Sequence, residues 1–104
     1  MSEKDSDIAR ILETLKDPTR LQILNYLIRN GPTNVGDITS QFKVTRPAIS
    51  HHLRILRDGK TVKSEKKGQE VLYSANTRPV AQALRELAER LDKVESSQRR
   101  KSRS

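Results

Sequence analysis

The run TRPAISHHLRIL occupies residues 45–56 and carries the strongest fold signal in the chain. Thr45 is a favoured helix-capping residue, and the proline two positions later fits a first helical turn, where its missing N–H leaves no hydrogen bond unmade. Ile49, Leu53 and Leu56 then recur at helical spacing, which gives the segment one buried face. The run therefore predicts a helix that begins after Thr45 and keeps its other face in solvent.

A shorter helix is predicted immediately before it, across a tight turn at residues 43–44. This helix covers residues 35–42, and Asn34 is a suitable cap for it. Ile38 and Phe42 lie four residues apart, so both point inward from it. Two short helices joined by a tight turn are the arrangement of a helix-turn-helix unit.

Two further helices are predicted towards the N-terminus. Asp17 and Pro18 separate them, since these residues restart a helix as cap and first-turn residue. The apolar stripes comprise Ile8, Ile11, Leu12 and Leu15 in the first helix and Leu21, Leu24, Leu27 and Ile28 in the second. The run Asn-Gly-Pro at residues 30–32 ends the second helix, because glycine tolerates a left-handed conformation and proline blocks continuation.

Towards the C-terminus the hydrophobic period changes. Residues 62–65 and 70–75 are predicted as two strands, and Lys-Lys-Gly-Gln at residues 66–69 is the turn between them. A last helix begins at Asn76 or Thr77, and its apolar residues alternate at spacings of four and three. This heptad-like seam comprises Val80, Leu84, Leu87, Leu91 and Val94.

The order of elements predicts a mainly α fold, a winged helix-turn-helix of four helices, a two-stranded wing and a C-terminal dimerisation helix. We expect one domain over residues 8–95. Residues 1–7 are expected to be a disordered N-terminus. Residues 96–104 (SSQRRKSRS) contain no apolar residue and are expected to be a disordered basic tail.

The charge balance indicates a polyanionic partner. The chain has 21 Lys and Arg against 13 Asp and Glu, a formal net charge of +8. Within residues 43–67 the acidic residues are Asp58 and Glu65. The basic residues there are Lys43, Arg46, Arg54, Arg57, Lys60, Lys63, Lys66 and Lys67. Nucleic acid and an anionic membrane surface both fit this excess, as does a basic surface that serves solubility alone.

Several classes are excluded by what the sequence lacks. The chain has no cysteine, which removes disulfides, iron–sulfur clusters, thiolate metal sites and thiol redox sensing. No apolar run approaches the ~20 residues of a membrane span, and the charged start MSEKDSD lacks the apolar core of a secretory signal. We therefore expect a cytoplasmic protein without a membrane partner.

Three runs of the sequence resemble motifs of the ArsR/SmtB family of transcriptional regulators. They are LKDPTRLQIL at residues 15–24, TRPAISHHLRIL at residues 45–56 and GQEVLY at residues 68–73, and they occur in the family's order. The resemblance spans residues 8–91. It implies a homodimeric winged-helix repressor that releases double-stranded DNA when an inducer, often a metal, binds.

The sequence departs from the family at its metal sites. Residues 34–36 (Asn-Val-Gly) precede Asp37 where the arsenic- and cadmium-type sensors carry a Cys-x-Cys pair, and the last helix lacks the histidine of the zinc- and nickel-type sensors. His51 and His52 point about 100° apart on one helix, so they cannot chelate one ion together. We expect no metal site, no cofactor and no metal response. An effector, whether small molecule or protein, is left open. Residues 59–61 (Gly-Lys-Thr) stand where the family commonly has Ala-Gly-Leu, so the end of the preceding helix is predicted only to within one residue.

The resemblance assigns DNA contact to one side of the helix after Thr45 and to the hairpin tip. The expected DNA-binding residues are Lys43, Thr45, Arg46, Pro47, Ser50, His51, Arg54, Lys66, Lys67 and Gln69. Arg46, Ser50 and His51 are expected to reach base edges in the major groove. Thr45 and Arg54 are expected to hold phosphates, and the hairpin tip to follow phosphates or enter the minor groove. The alternatives are a solvated helix face and a tip charged for solubility.

The expected dimer interface comprises Ile8, Ile11, Val80, Leu84, Leu87 and Leu91. The length of the apolar seam and the small core of a 104-residue chain favour a partner subunit. The alternative is that the seam covers the core of its own domain.

These expectations describe a sequence-specific DNA-binding regulator, a dimeric repressor on a two-fold symmetric operator that does not respond to metals. The alternative is a winged-helix module that binds protein or RNA. No catalytic residue is assigned, because Ser50, His51 and Asp58 supply the residue types of a hydrolytic triad on one helix that cannot align them. His52 borders the core and is interpreted as a structural histidine that forms a hydrogen bond there.

Overall fold

The computed structural model describes residues 2–102, with side chains over residues 2–99. In chain order the elements are α1 (Glu3–Leu15), α2 (Pro18–Asn30), β1 (Thr33–Asn34), α3 (Val35–Thr39), α4 (Arg46–Asp58), β2 (Val62–Lys67), β3 (Glu70–Ala75) and α5 (Thr77–Ser102). Helices α3 and α4 form the predicted helix-turn-helix, and β2 and β3 form the predicted wing. The fold is a winged helix-turn-helix, as predicted.

The first four helices each begin at a capping side chain. Ser2, Asp17, Asn34 and Thr45 accept a hydrogen bond from the backbone N–H three residues further on, at 3.1, 3.0, 2.8 and 3.3 Å. Each bond satisfies an N–H that has no partner inside its helix. The backbone N–H of Arg20 also holds the pKa of Asp17 below its usual value. The caps predicted at residues 17, 34 and 45 are confirmed.

Arg20 joins the end of α1 to the start of α2. Its Nε donates to the backbone carbonyl oxygen of Thr14 at 2.6 Å, in the last turn of α1, where carbonyl groups lack partners within the helix. Asp17 caps α2 three residues before Arg20. The run Asp-Pro-Thr-Arg therefore stabilises both sides of the bend between the two helices.

The sheet has three strands in the order β1–β3–β2, one strand more than predicted. In β1, Thr33 pairs with Tyr73 and Asn34 with Leu72, both antiparallel. A strand of two residues is too short to show an alternating pattern, so periodicity could not predict it. The extra strand makes β3 the central strand of the sheet.

The wing hairpin is tighter than predicted. Lys66 and Lys67, expected in the turn, belong to β2, and Lys67 lies opposite Glu70 in β3. The turn itself comprises Gly68 and Gln69. Gly68 has a φ of 62°, and this left-handed conformation allows two residues to close a hairpin.

The main core lies between α2, α3, α4 and the sheet. It comprises Ile23, Leu24, Leu27, Ile38, Ile49, Leu53, Leu56 and Val62. The prediction that Leu21 and Ile28 are buried is wrong, because 43% and 56% of these residues is exposed. Neighbouring helical positions point about 100° apart, so Ile28 turns away from the core that Leu27 enters.

A second, smaller core joins α1 to α5. Ile8, Ile11 and Ala83 are buried in it, and Val80 and Leu87 pack against it in half-buried positions. Ile11 is fully enclosed and Ile8 nearly so within a single chain. This corrects the expectation that these two residues face a partner subunit, because α5 of the same chain already covers them.

The two terminal helices are longer than predicted. Helix α1 begins at Glu3 rather than near residue 8, because Ser2 caps it. Helix α5 continues to Ser102, past residue 96 where the disordered tail was expected, and Arg99 forms an ion pair with Glu95 one turn earlier. The two helices therefore extend beyond the domain expected over residues 8–95, into residues 3–7 and 96–102. Residues 1, 103 and 104 lie outside the described part of the chain.

Helix α4 ends in two hydrogen bonds typical of a Schellman motif. The N–H of Thr61 donates to the carbonyl of Leu56 at 3.0 Å, and the N–H of Lys60 donates to the carbonyl of Arg57 at 2.9 Å. Lys60 occupies the left-handed position of this motif, with a φ of 61°. Glycine is the usual residue there because it has no Cβ to clash with the backbone.

Gly59 has a different role at the same helix end. A Cβ on Gly59 would lie 2.0 Å from Oγ1 of Thr14, so only glycine allows α4 to approach α1 this closely. Nε of Arg10 donates to the carbonyl oxygen of Gly59 at 3.1 Å. Helix α1 thus holds the C-terminal end of α4 by packing and by a hydrogen bond.

Candidate nucleic-acid interface

Helix α4 presents a polar face opposite its buried one. Ile49, Leu53 and Leu56 on the inner side are at most 1% exposed. The exposed residues of α4 are Arg46, Pro47, Ser50, His51, Arg54, Arg57 and Asp58. The structure therefore brings the helical part of the expected DNA-binding set together on one accessible side, which we call the outer face of α4.

The polar side chains of this face are available to a ligand. Within the described part of the chain, the side chains of Arg46, Ser50 and His51 form no hydrogen bond or ion pair. An arginine carries five donors, and serine and histidine each offer donor and acceptor capacity. Such groups can bond to the base edges that a major groove presents.

The turn before α4 contributes a cation and the helix cap. Lys43 and Thr45 are both exposed, next to the first turn of the helix. Oγ1 of Thr45 accepts from the backbone N–H of Ala48 at 3.3 Å, which leaves its hydroxyl hydrogen to donate elsewhere. Thr45 can therefore cap α4 and contact a phosphate at the same time.

His52 differs from its neighbour His51. It is half-buried on the inner side of α4, and its Nδ1 is enclosed without a hydrogen-bond partner among the described residues. The expected hydrogen bond is therefore absent at Nδ1, while the assignment of His52 to the packed side of the helix agrees with its burial. The ring centroids of His51 and His52 are 6.2 Å apart, with the rings tilted by 50°.

The two wing lysines point to opposite faces of the sheet, because side chains alternate along a strand. Lys66 lies on the same side as the buried Val62, opposite Val71 of β3. Lys67 lies on the other side, directly opposite Glu70. The side chain of Asn34 donates to Oε1 of Glu70 at 2.9 Å, which fixes that carboxylate beside the wing.

The basic residues from Lys43 to Lys67 are all exposed. The ion pairs found in the described part of the chain lie instead on α1 and α5. They are Lys4–Glu86, Asp7–Arg10, Glu13–Lys16, Asp5–Arg90, Glu86–Arg90 and Glu95–Arg99. The helix-turn-helix and wing thus form a surface whose cations form no ion pair within the described part of the chain.

A second surface is apolar and lies on α1 and α5. Leu12, Leu84, Leu91 and Val94 are 47%, 43%, 63% and 55% exposed, and we call them the exposed seam. The expected dimer set includes Leu84 and Leu91 but not Leu12, which was placed only in the apolar stripe of the first helix. Helical periodicity alone could not show which α1 residues the chain's own α5 covers.

Two other kinds of feature are absent from the described residues. No group of three or more His, Cys, Asp or Glu side chains lies close enough together there to hold a metal ion. None of the helices in residues 2–102 is both long and apolar enough to cross a membrane.

Comparisons with known proteins agree with this geometry. A family model described as "Bacterial regulatory protein, arsR family" matches residues 17–59, from the cap of α2 to the end of α4. The transcriptional repressor SdpR of Bacillus subtilis is 40% identical over 67 residues, which are 64% of this chain and 73% of SdpR. The HTH-type transcriptional regulator NmtR of Mycobacterium tuberculosis is 38% identical over 85 residues, 82% of this chain and 70% of NmtR.

The structural comparison extends over nearly the whole chain. An ArsR-like transcriptional regulator from Rhodococcus sp. RHA1 superposes with a TM-score of 0.73 at 27% identity, covering 96% of this chain and 90% of that one. Taken with these relatives, the helix-turn-helix, its exposed basic face and the wing are those of a DNA-binding transcriptional regulator, a class of protein that is not enzymatic. The chain belongs to the ArsR family of bacterial regulatory proteins.

Proposed function

We propose that this regulator is a dimeric repressor that binds a two-fold symmetric operator and does not respond to metals. The observation that carries the proposal is the outer face of α4, where side chains able to reach base edges lie among cations without partners. The relatives described as repressors, SdpR among them, support repression as the output. The domain over residues 8–95 and a cytoplasmic location stay part of the proposal.

Base reading and phosphate contact fall to different residues. Arg46, Ser50 and His51 reach base edges, because a recognition helix contacts bases through its N-terminal turns. Thr45 and Arg54 hold phosphates beside them, which positions the helix without specifying sequence. Lys43, Pro47 and the wing residues Lys66, Lys67 and Gln69 complete the expected contact set.

A second copy of the chain covers the exposed seam. Leu84 and Leu91 lie seven residues apart on α5, with Leu87 and Val94 at heptad spacings between and beyond them, a pattern suited to helix pairing. A two-fold dimer presents two copies of α4. The operator half-sites should therefore lie about 10–10.5 bp apart, or a multiple of that distance.

Metal independence follows from the side chains available. The chain has no cysteine, and its two histidines diverge on α4. Transition metals normally need three or four N, S or O ligands in fixed geometry. Micromolar zinc or nickel should leave operator affinity unchanged, and a stoichiometric change in affinity would contradict this part of the proposal. Any effector would be a small molecule or a protein.

The experiment selects duplexes from a random pool and measures their affinity across a salt series. We expect a palindromic consensus, with affinity that falls steeply as salt rises because phosphate contacts release counterions. The double variant Ser50→Ala, His51→Ala removes contacts to base edges. Its operator affinity should fall by about 1–3 kcal/mol for each of them, while binding to scrambled DNA stays nearly constant.

The matched control changes charge rather than base contacts. Lys66→Ala with Lys67→Ala should weaken operator and scrambled DNA alike. Equal weakening of both duplexes by the α4 variant would mean that α4 is not the reading element. Equal affinity for all duplexes in the wild-type protein would favour a protein- or RNA-binding module instead.

A further inference from the structure

The outer face of α4 and the turn before it contain apolar groups that base hydrogen bonding and phosphate contact do not use. Pro47 is exposed in the first turn of α4, on the same side as Ser50, His51 and Arg54, which follow at spacings of three, four and seven. Val44, just before the cap, is 37% exposed. We call these two residues the Val44–Pro47 patch.

The two side chains of this patch are not part of the hydrophobic core. Phe42 and Val35 from the same helix-turn-helix pack against the main cluster, whereas Val44 and Pro47 remain accessible. Thr45 already caps the helix, so the start of α4 does not depend on Pro47 alone. Neither patch side chain has a donor or an acceptor, so a polar base edge gains nothing from either.

The major groove offers one apolar group on a base edge, the 5-methyl group of thymine. The patch lies at the N-terminal end of α4, the part of a recognition helix that approaches bases. Lys43 and Arg46 are next to these residues in the chain, and Arg54 lies on the same face of α4 as Pro47. This positive charge favours a polyanionic duplex over an apolar protein surface. Its chemistry and its surroundings are therefore those of a methyl-reading contact within a phosphate-binding surface.

We infer that the Val44–Pro47 patch contacts a thymine methyl group in each operator half-site and makes thymine a requirement at that base step. The inference rests on the proposed function, since it needs α4 to enter a major groove. It assigns a reading role to Val44, and it gives Pro47 a specific partner.

The test replaces each thymine of the selected operator, one at a time, with deoxyuridine. Deoxyuridine lacks the 5-methyl group but keeps the same base pairing and the same hydrogen-bonding groups. Competition binding should show that replacing one particular thymine per half-site lowers affinity about fourfold, the equivalent of one buried methylene-sized group. Replacement of the other thymines should have little effect.

Two variants link that penalty to the patch. Val44→Thr keeps the shape of the side chain but replaces a methyl group with a hydroxyl, and Pro47→Ser removes the apolar ring from the outer face. In each variant the deoxyuridine penalty at the sensitive thymine should shrink towards none. Val71→Thr is the matched control, because Val71 is 42% exposed on the wing, and it should keep the full penalty.

Thermal unfolding of each variant shows whether it folds, and Val44→Thr preserves the proline at the helix start if Pro47→Ser proves unstable. Specific binding with no deoxyuridine penalty at any thymine would overturn the inference and leave the proposed function intact. A penalty that persists undiminished in both variants would also overturn it. Absence of any sequence preference in the wild-type protein would instead overturn the proposed function.

Discussion

Gly59 lies where the end of α4 meets the side chain of Thr14. Its φ of −79° suits any residue, so space rather than conformational freedom requires glycine. Gly59→Ala would add a Cβ 2.0 Å from Oγ1 of Thr14. We expect the free energy of unfolding to fall by about 1–3 kcal/mol, as in other overpacked interiors. Urea unfolding at a fixed protein concentration measures the change.

A double variant separates this clash from other effects. Thr14→Ala removes Oγ1 and Cγ2, two of the atoms that a Cβ on Gly59 would meet. The loss of stability in Thr14→Ala, Gly59→Ala should therefore be smaller than the sum of the two single losses. Simple additivity would show that the contact between α1 and α4 does not limit residue 59.

At Lys60 the backbone conformation, rather than the available space, is unfavourable. The side chain is exposed, but the backbone is left-handed, with a φ of 61°. A non-glycine residue in this conformation costs about 1–2 kcal/mol, part of which glycine returns through its greater freedom in the unfolded chain. Lys60→Gly should therefore raise the free energy of unfolding by about 0.5–1 kcal/mol. Lys60→Ala removes the same charge without relieving the backbone, so a similar gain in that control would refute the explanation.

The two lysines of the wing should contribute unequally to DNA affinity. Lys67 and Lys63 lie on the same face of the wing as Glu65 and Glu70, so the two negative charges there cancel the two positive ones. Lys66 lies on the other face, with the uncharged Val71 opposite it. Lys66→Ala should therefore lower the salt dependence of DNA affinity by about 0.9 in the logarithmic slope, the value for one phosphate contact. Lys67→Ala should lower it by less.

The measurement is a salt titration of each single variant on the same duplex. Glu70→Gln provides a further check, because it removes the carboxylate opposite Lys67 while keeping a side chain of similar size. If Lys67 contacts phosphate but is partly neutralised, Glu70→Gln should strengthen binding in the wild-type background and have a smaller effect in Lys67→Ala. Equal slopes for Lys66→Ala and Lys67→Ala would contradict the two-faced account of the wing.

Elements with a local signal could be predicted from the sequence, and elements defined by distant partners could not. The caps at Asp17, Asn34 and Thr45 follow from local chemistry, and so does the buried row of α4. Strand β1 exists because it pairs with β3, and Ile28 is exposed because no element within residues 2–102 covers that side of α2. The same limit applied to the site, since the outer face of α4 was predictable but the opposite orientations of Lys66 and Lys67 required the hairpin register.

We predict that Leu91, rather than Leu87, decides the assembly of the proposed dimer. Leu87 packs against the core between α1 and α5, so a charge there would disturb the single chain as well. Leu91 is 63% exposed, and Leu91→Glu should leave the subunit folded. An unpaired charge buried in the interface should weaken the dimer by at least about a hundredfold. Sedimentation should then detect monomers. The affinity of the variant for the operator should also be lower, which a DNA-binding titration measures.

The matched control is Ile28→Glu, which places the same charge on an exposed apolar residue of α2, away from the seam. It should sediment as a dimer at concentrations where Leu91→Glu is monomeric. The reverse result would locate the interface on α2. An intact dimer in both variants would mean that neither surface joins the subunits.

The division of α4 into an enclosed side and an accessible side also bears on how such a regulator changes its target over evolution. The residues that hold α4 in the domain, Ile49, Leu53 and Leu56, are distinct from those that face outward, such as Ser50 and His51. Mutations on the accessible side can therefore accumulate with little loss of foldability. A gene duplicate could acquire a new binding site by drift at a few codons, and a laboratory library randomised at those codons should yield folded proteins in most of its members.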